Sequence, residues 1–258
     1  MLLKRIGVQG EGAAFPLPAG GPRNPRKGNL LMIISPRGQR ETGRDYAFRT
    51  LKENIIQLEL EPGSMVSENE LAVQMGLSRT PVREALMSLA KVKLIEVYPQ
   101  RGSAVAPIDY DLVEEATFMR GVLEASVVEL ACKMASDEQK VALMDNVTLQ
   151  ERYLQDGRME ALMQLDNELH QMLFAITHKE QIWEMLSSFT VHFDRVRRMA
   201  LDAPRNDRNV ADHRAIVQAV VAGDKAEARR AMELHLSRYR VDEELLRERY
   251  PASYFKAV

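Results

Sequence analysis

The sequence predicts a mainly α-helical protein in two parts: three short helices closed by a β-hairpin, then an antiparallel bundle of six longer helices. Three observations predict it. Apolar residues from Phe48 to Leu89 recur at steps of three and four, with capping residues and a glycine stop between the runs. Two β-like runs follow, residues 94–98 and 103–106, on either side of Pro99-Gln100-Arg101-Gly102. From Asp109 onward the helical pattern continues with no Val/Ile/Thr-rich strand run, and Gly121, Gly157 and Gly223 are its only glycines.

Composition agrees with two folded domains. The 258 residues are 45% hydrophobic and 28% charged, which is ordinary for a soluble globular chain. No apolar run approaches the ~18–20 residues needed to span a bilayer. The opening MLLKRIGVQGEG lacks the ~7–15 residue apolar core of a secretory signal. A single cysteine, Cys132, excludes an intrachain disulfide framework, and its apolar setting reads as a buried thiol in a reducing compartment. A cytoplasmic protein without a membrane segment is expected. The net charge of −2 hides an asymmetry, with +5 on residues 1–108 and −7 on residues 109–258. A basic front half makes nucleic acid a candidate partner.

The elements follow in order. Residues 1–44 are rich in Gly, Pro and Arg and show no sustained period, so they are expected to be a disordered leader, either a basic arm or a segment without a role. Phe48, Leu51, Ile55 and Leu58 form one face of a first helix, ended by Pro62-Gly63. Ser67-Glu68-Asn69-Glu70 has the form of a capping box for a second helix carrying Leu71, Ala72 and Met75, which stops at Gly76. Ser78 is placed to cap a third, with Pro81 in its first turn and Val82, Leu86 and Leu89 facing inward. Residues 45–106 thus read as a winged helix-turn-helix. Pro107-Ile108-Asp109 is a short hinge. The helical domain spans residues 110–248, with helices near 109–135, 137–156, 158–177, 180–202, 206–222 and 224–246, and residues 249–258 form a tail.

Arg79, Thr80 and Arg83 fall in the opening turns of the third helix, the end that a helix-turn-helix directs into the major groove. Arg79 and Arg83 share a face, and each guanidinium can bridge guanine O6/N7 or clamp a phosphate. The Ser78 and Thr80 hydroxyls suit backbone contacts, and Arg101-Gly102 at the wing tip suits the minor groove or the backbone. The run LEPGSMVSENELAVQMGLSRTPVREALMSLAKVKLIEVYPQRGSAV resembles the DNA-binding domain of the GntR regulator family, with SRTPVREAL its most specific part. Two departures stand out. Asn69 replaces a frequent arginine, and Val92-Lys93 replaces a common Glu-Gly ahead of the wing.

In the helical half, Asp166 and His170 are four apart on one helix, and His213 and His235 lie on two others. One carboxylate and three imidazoles suit a divalent transition metal such as Zn, Ni, Mn or Fe. The patterns D-x-x-x-H, H-R-A-I and G-D-x-x-x-A…M-x-x-H-L resemble the FCD (FadR C-terminal domain) type of effector domain, in its six-helix VanR-like branch. That resemblance implies a metal on Asp166, His170, His213 and His235. It also implies a small carboxylate effector held by Arg120. His192, beside Phe193, either lines the pocket or is packed, and Arg195 and Arg198 either lend charge to an acidic effector or form a solvated face. No partnered general base, nucleophile motif or phosphate-cradling loop accompanies the cluster. The expectation is therefore a homodimeric, effector-responsive regulator of operator DNA rather than an enzyme. A DNA-bound protein with a purely structural metal, and a metal-dependent enzyme, stand as alternatives.

Overall fold

A computed structural model describes residues 32–200, 206–237 and 243–257. Among them are eleven α-helices and one small sheet.

Helix α1 (Gly43–Ile56) is capped by Thr42, whose Oγ1 accepts from Asp45 N. Helix α2 (Glu68–Met75) opens on Ser67, whose Oγ accepts from Glu70 N, and closes on Gly76, left-handed at φ 64°. Helix α3 (Arg79–Lys91) follows. Ser78 holds its N-cap position but makes no side-chain capping bond, contrary to the expected cap, so its hydroxyl stays on the exposed surface. Strands β2 (Ile95–Tyr98) and β3 (Gly102–Val105) form the expected antiparallel hairpin, with Ile95 opposite Val105 and Tyr98 opposite Gly102. A third strand, β1 (Met65–Val66), pairs with the free edge of β3. Two residues are too short to show alternation, so β1 exists only because β3 offers it an edge. Leu51, Ile55, Leu71, Val82 and Leu89 are fully buried in the core of this unit.

The remaining helices are α4 (Tyr110–Met134), α5 (Asp137–Gln155), α6 (Met159–Ile176), α7 (Glu180–Phe189), α8 (Val191–Ala200), α9 (Asn206–Ala222), α10 (Lys225–Ser237) and α11 (Glu243–Arg249). Helix α4 is central, packing against α6, α7, α8, α9 and α10. The single helix expected over 180–202 is two helices that part at Thr190. The Ser187 and Ser188 hydroxyls bond back to the carbonyls of Glu184 and Met185, and side chains that engage their own backbone in this way weaken a helix locally. The break expected at Ala203-Pro204 lies outside the described residues, as do 238–242 within the last expected helix.

Two expectations about the chain's irregular parts need correction. Residues 1–31 lie outside the described residues, but residues 32–44 are not the structureless end of a leader. Met32 is buried and its N–H donates to Gln74 Oε1 (3.1 Å). The Asn54 amide accepts from Ile33 N (2.7 Å) and donates to Ile33 O (2.9 Å), and Arg49 holds Glu41, Ser35 and the Pro36 carbonyl. A side-chain amide here takes the place of a neighbouring strand, which needs no periodicity in the bound segment. The hinge and tail are also not loose. Ile108 is fully buried, donates to Tyr254 O (2.7 Å) and accepts from Lys256 N (2.9 Å), pairing with the segment around Phe255. Lys256 Nζ binds Asp109 Oδ2 at 2.7 Å.

Candidate functional site

Two groups of charged residues form in the two halves. The first lines an open groove on α3. Arg79, Thr80 and Arg83 from its opening turns meet Glu84, Met87, Ser88 and Lys91 from its later turns, with Arg44 from α1 and Glu68 from α2 at the sides. Arg79, Thr80, Arg83, Met87 and Lys91 are exposed, at the three- and four-residue steps that make one helix face. Arg79 is tied only loosely to Glu68, at 3.4 Å with its side chain 68% exposed. A smaller recess joins Arg79, Ser67, Glu68 and Asn69 to Arg101, Gly102 and Ser103 of the wing. Gly102 sits at φ 102°, a backbone state that side chains resist, and this lets the tip turn. Exposed cations with long, screened partners keep most of their charge for an anionic ligand.

The second group is buried. Asp166 and His170 come from α6, His213 from α9 and His235 from α10, and one ligand atom from each lies within 4.8 Å of all the others. His213 Nε2 is 3.2 Å from His235 Nε2 and 3.5 Å from Asp166 Oδ1, and His170 Nε2 is 3.9 Å from Asp166 Oδ2. Each imidazole has an oxygen near its far nitrogen. Gln150 Oε1 is 2.6 Å from His213 Nδ1, Glu124 Oε2 touches His170 Nδ1, and Asp212 Oδ2 stands 3.9 Å from His235 Nδ1. The Gln150 contact decides a tautomer. Gln150 Nε2 donates to Asn146 Oδ1 (2.7 Å), which leaves Oε1 as the acceptor, so His213 carries its proton on Nδ1 and turns a lone pair inward from Nε2. Burial holds His213 neutral to well below the usual histidine range, and it lowers His235 as well. Among the described residues, His170 Nε2 is buried without a hydrogen-bond partner. Converging lone pairs, backed ring nitrogens and an orphaned Nε2 fit a divalent cation better than they fit one another.

Arg197 on α8 grips Asp166 Oδ2 at 2.5 Å and also bonds Asn167 and Asp194. Although burial opposes ionisation, the charge of Arg197 holds Asp166 as a carboxylate, as that of Arg120 does for Glu124. Arg120 is buried, donates from Nε to Glu124 Oε1 (2.6 Å), and stacks over Phe193 at 4.9 Å.

The two halves of the chain match two family models. The family described as bacterial regulatory proteins, gntR family, matches residues 45–105, and the FCD domain matches residues 115–238. The chain is 36% identical over 211 residues to an HTH-type transcriptional regulator of Streptomyces ambofaciens, covering 81% of this chain and 89% of that one. The chain belongs to the GntR family of transcriptional regulators. It is also 32% identical over 190 residues to the HTH-type transcriptional repressor RspR of Escherichia coli K12, covering 73% of this chain and 83% of RspR. Solved structures with the same fold include E. coli McbR/YncC, with a TM-score of 0.69 at 21% identity over 81% of this chain and 99% of that one. A putative GntR regulator from Rhodococcus sp. RHA1 gives 0.65 at 21%, over 80% and 98%. These relatives are regulators, and this GntR protein is a transcriptional regulator rather than an enzyme.

All four expected metal ligands of this regulator converge. Ser78, Arg79, Thr80 and Arg83 occupy the opening of α3, and Arg101 and Gly102 the wing tip. Arg120 differs from expectation in one respect: Glu124, which the sequence reading passed over, already occupies its Nε edge. The R-x-x-x-E spacing, one helical turn, was the available signal. Lys91, eight residues after Arg83, was likewise legible as the same face, whereas Arg44 reaches the groove only through tertiary packing. Neither His192 nor Arg195 faces solvent. Both are buried where the two halves meet.

Proposed function

We propose that this regulator binds a pseudo-palindromic operator as a cytoplasmic homodimer, acts as a repressor, and releases or retains DNA according to a small carboxylate bound at a metal. Asp166, His170, His213 and His235 would hold the divalent transition metal (Zn, Ni, Mn or Fe), and the metal would offer an oxygen-accepting position to the carboxylate. The observation that carries this reading is the convergence of three imidazoles whose far nitrogens are each backed by a side-chain oxygen. Arg197 would fix the Asp166 carboxylate in its ligating orientation. Arg120 would take the other end of the effector carboxylate once Glu124 yields its Nε edge. Arg79 and Arg83 would read or clamp each half-site, because one α3 covers only a few base pairs and a dimer doubles the contact. The name of RspR supports repression over activation.

The test is metal content together with a thermal-shift screen of small carboxylates, with and without added Zn²⁺. One ion per chain and a carboxylate-dependent change in operator affinity are expected, and both should vanish in His213→Ala. A ligand at ~100 times its Kd should stabilise by roughly 2.7 kcal/mol. A His213→Ala protein that keeps its metal overturns the site. A second reading is favoured by the burial of all four ligands and by the Arg120–Glu124 pair: the ion only staples α6, α9 and α10 together. Under that reading Zn²⁺ raises the melting temperature but no carboxylate alters operator affinity.

A further inference from the structure

We infer that α8 is the helix that couples the buried site to the DNA-binding half, and that His192 and Arg195 are the positioning residues through which it acts. The inference concerns how the proposed site would be read out. It rests on the contacts of five α8 residues, Val191, His192, Phe193, Arg195 and Arg197. At its start, Val191 is buried in the core of the DNA-binding unit, and Lys52 of α1 donates to Ser187 O just before it (3.3 Å). One residue on, His192 bridges the linker between the halves and the turn that leads from α3 into the wing. Its Nδ1 accepts from Asp109 N (3.2 Å) and its Nε2 donates to Lys93 O (2.9 Å). Arg195 Nη2 then donates to Ala106 O at 2.8 Å. On the other side of the same helix, Phe193 lies under Arg120, and Arg197 holds Asp166.

Three features make this a joint rather than ordinary packing. First, Lys93 is a non-glycine residue at φ 61°, so the turn that leads from α3 into the wing is strained and is held at its carbonyl by His192. Secondly, Arg195 is completely buried, and its Nε and Nη1 have no hydrogen-bond partner among the described residues. A buried guanidinium with one bond of five is far from its most stable arrangement, so a second position of α8 costs little relative to this one. Thirdly, Ala106 and Asp109 are the ends of the linker whose middle, Ile108, is clamped by Tyr254 and Lys256. With the linker held from both sides, the DNA-binding half cannot swing on a free hinge, and a shift of α8 moves Lys93, Ala106 and Asp109 together.

Coupling needs one element whose position both sites bias, and α8 meets that condition by direct contact. The test reads amide hydrogen exchange on the full chain and uses one perturbation that needs no metal. Asp166→Asn removes the charge that Arg197 grips. In the otherwise unaltered protein it should speed exchange across residues 92–109 by about tenfold, as expected for local opening of a joint. In an Arg195→Met background the same substitution should still speed exchange in α6 and α8 and leave residues 92–109 unmoved. A second arm adds Zn²⁺ alone, which should slow exchange in 92–109 in the unaltered protein and not in Arg195→Met. If Arg195→Met does not fold, His192→Phe, which keeps an aromatic ring and removes both bonds, takes its place. Equal changes at 92–109 in both backgrounds, or none in the unaltered protein, overturn the inference. Absence of Zn²⁺ binding overturns the metal reading instead, and the Asp166→Asn comparison still decides the coupling.

Discussion

The two charged regions of this regulator are built on opposite terms. On α3 the charges are exposed and loosely partnered, as the 3.4 Å Arg79–Glu68 contact illustrates. Around Asp166 they are buried and tightly partnered, in a chain running Arg120–Glu124–His170 and Asp166–Arg197. Water and salt screen the first set, so it contributes little to folding and stays available to DNA. Taking the second set out of water costs several kcal/mol per ion, which only dense mutual contact offsets. The difference teaches that the exposed face can change without affecting the fold, whereas the buried site and the fold cannot be separated.

Removing one partner inside the buried site gives the largest expected effect. Glu124→Ala leaves Arg120 and His170 facing each other and should destabilise by ~3–5 kcal/mol in urea unfolding. A loss below ~1 kcal/mol would place the pair with the surface charges and break the contrast.

The next effect is a pH dependence. Burial, then the charge of Arg195, pushes His192 down to about 4, with Asp109 and Lys256 also near it. The folded protein keeps this ring neutral while the unfolded chain protonates it near 6.5. The unfolded state therefore binds more protons between those values, and stability falls as pH drops from about 6.5 to about 4, by up to roughly 3 kcal/mol. His192→Phe should flatten that part of the melting profile. Identical slopes in the two proteins would show that the ring titrates as if exposed.

A smaller effect tests the segment ahead of α1. A chain beginning at Gly43 loses both Asn54 bonds to Ile33 and the burial of Met32, and should be less stable by ~1–3 kcal/mol than one beginning at Met32. Equal melting temperatures would restore the view of residues 32–42 as a dispensable leader. Lys93→Gly relieves the left-handed turn and should stabilise by ~1 kcal/mol.

The smallest effect on stability is predicted for the DNA face. Arg79→Ala should shift unfolding by less than ~0.5 kcal/mol. It should nevertheless weaken operator binding by ~1–3 kcal/mol per lost bidentate contact, read by titration at fixed salt. A variant that binds as before removes Arg79 from the interface, and one that unfolds erases the difference between the two regions.

By itself, the sequence determined whatever is periodic or local. The caps at Ser67 and Gly76, the hairpin around residues 99–102, and the helical course from Tyr110 all follow from propensities that act within a few residues. So does the placing of Arg79 and Arg83 on one exposed face. The grouping of Asp166, His170, His213 and His235 was legible too, but through motif resemblance, because three histidines on three helices carry no local sign that they meet. Tertiary structure alone decided the rest. Strand β1 waits for the edge of β3, and the 32–42 segment is ordered by the distant side chains of Asn54, Gln74 and Arg49. The tail becomes part of the joint because Ile108 needs backbone partners. Arg195, which reads from sequence either as charge for an acidic effector or as part of a solvated face, is buried because α8 is pressed between two cores. In each case the deciding partner is remote in the chain, and a contact of that kind leaves no periodic trace in either segment that makes it.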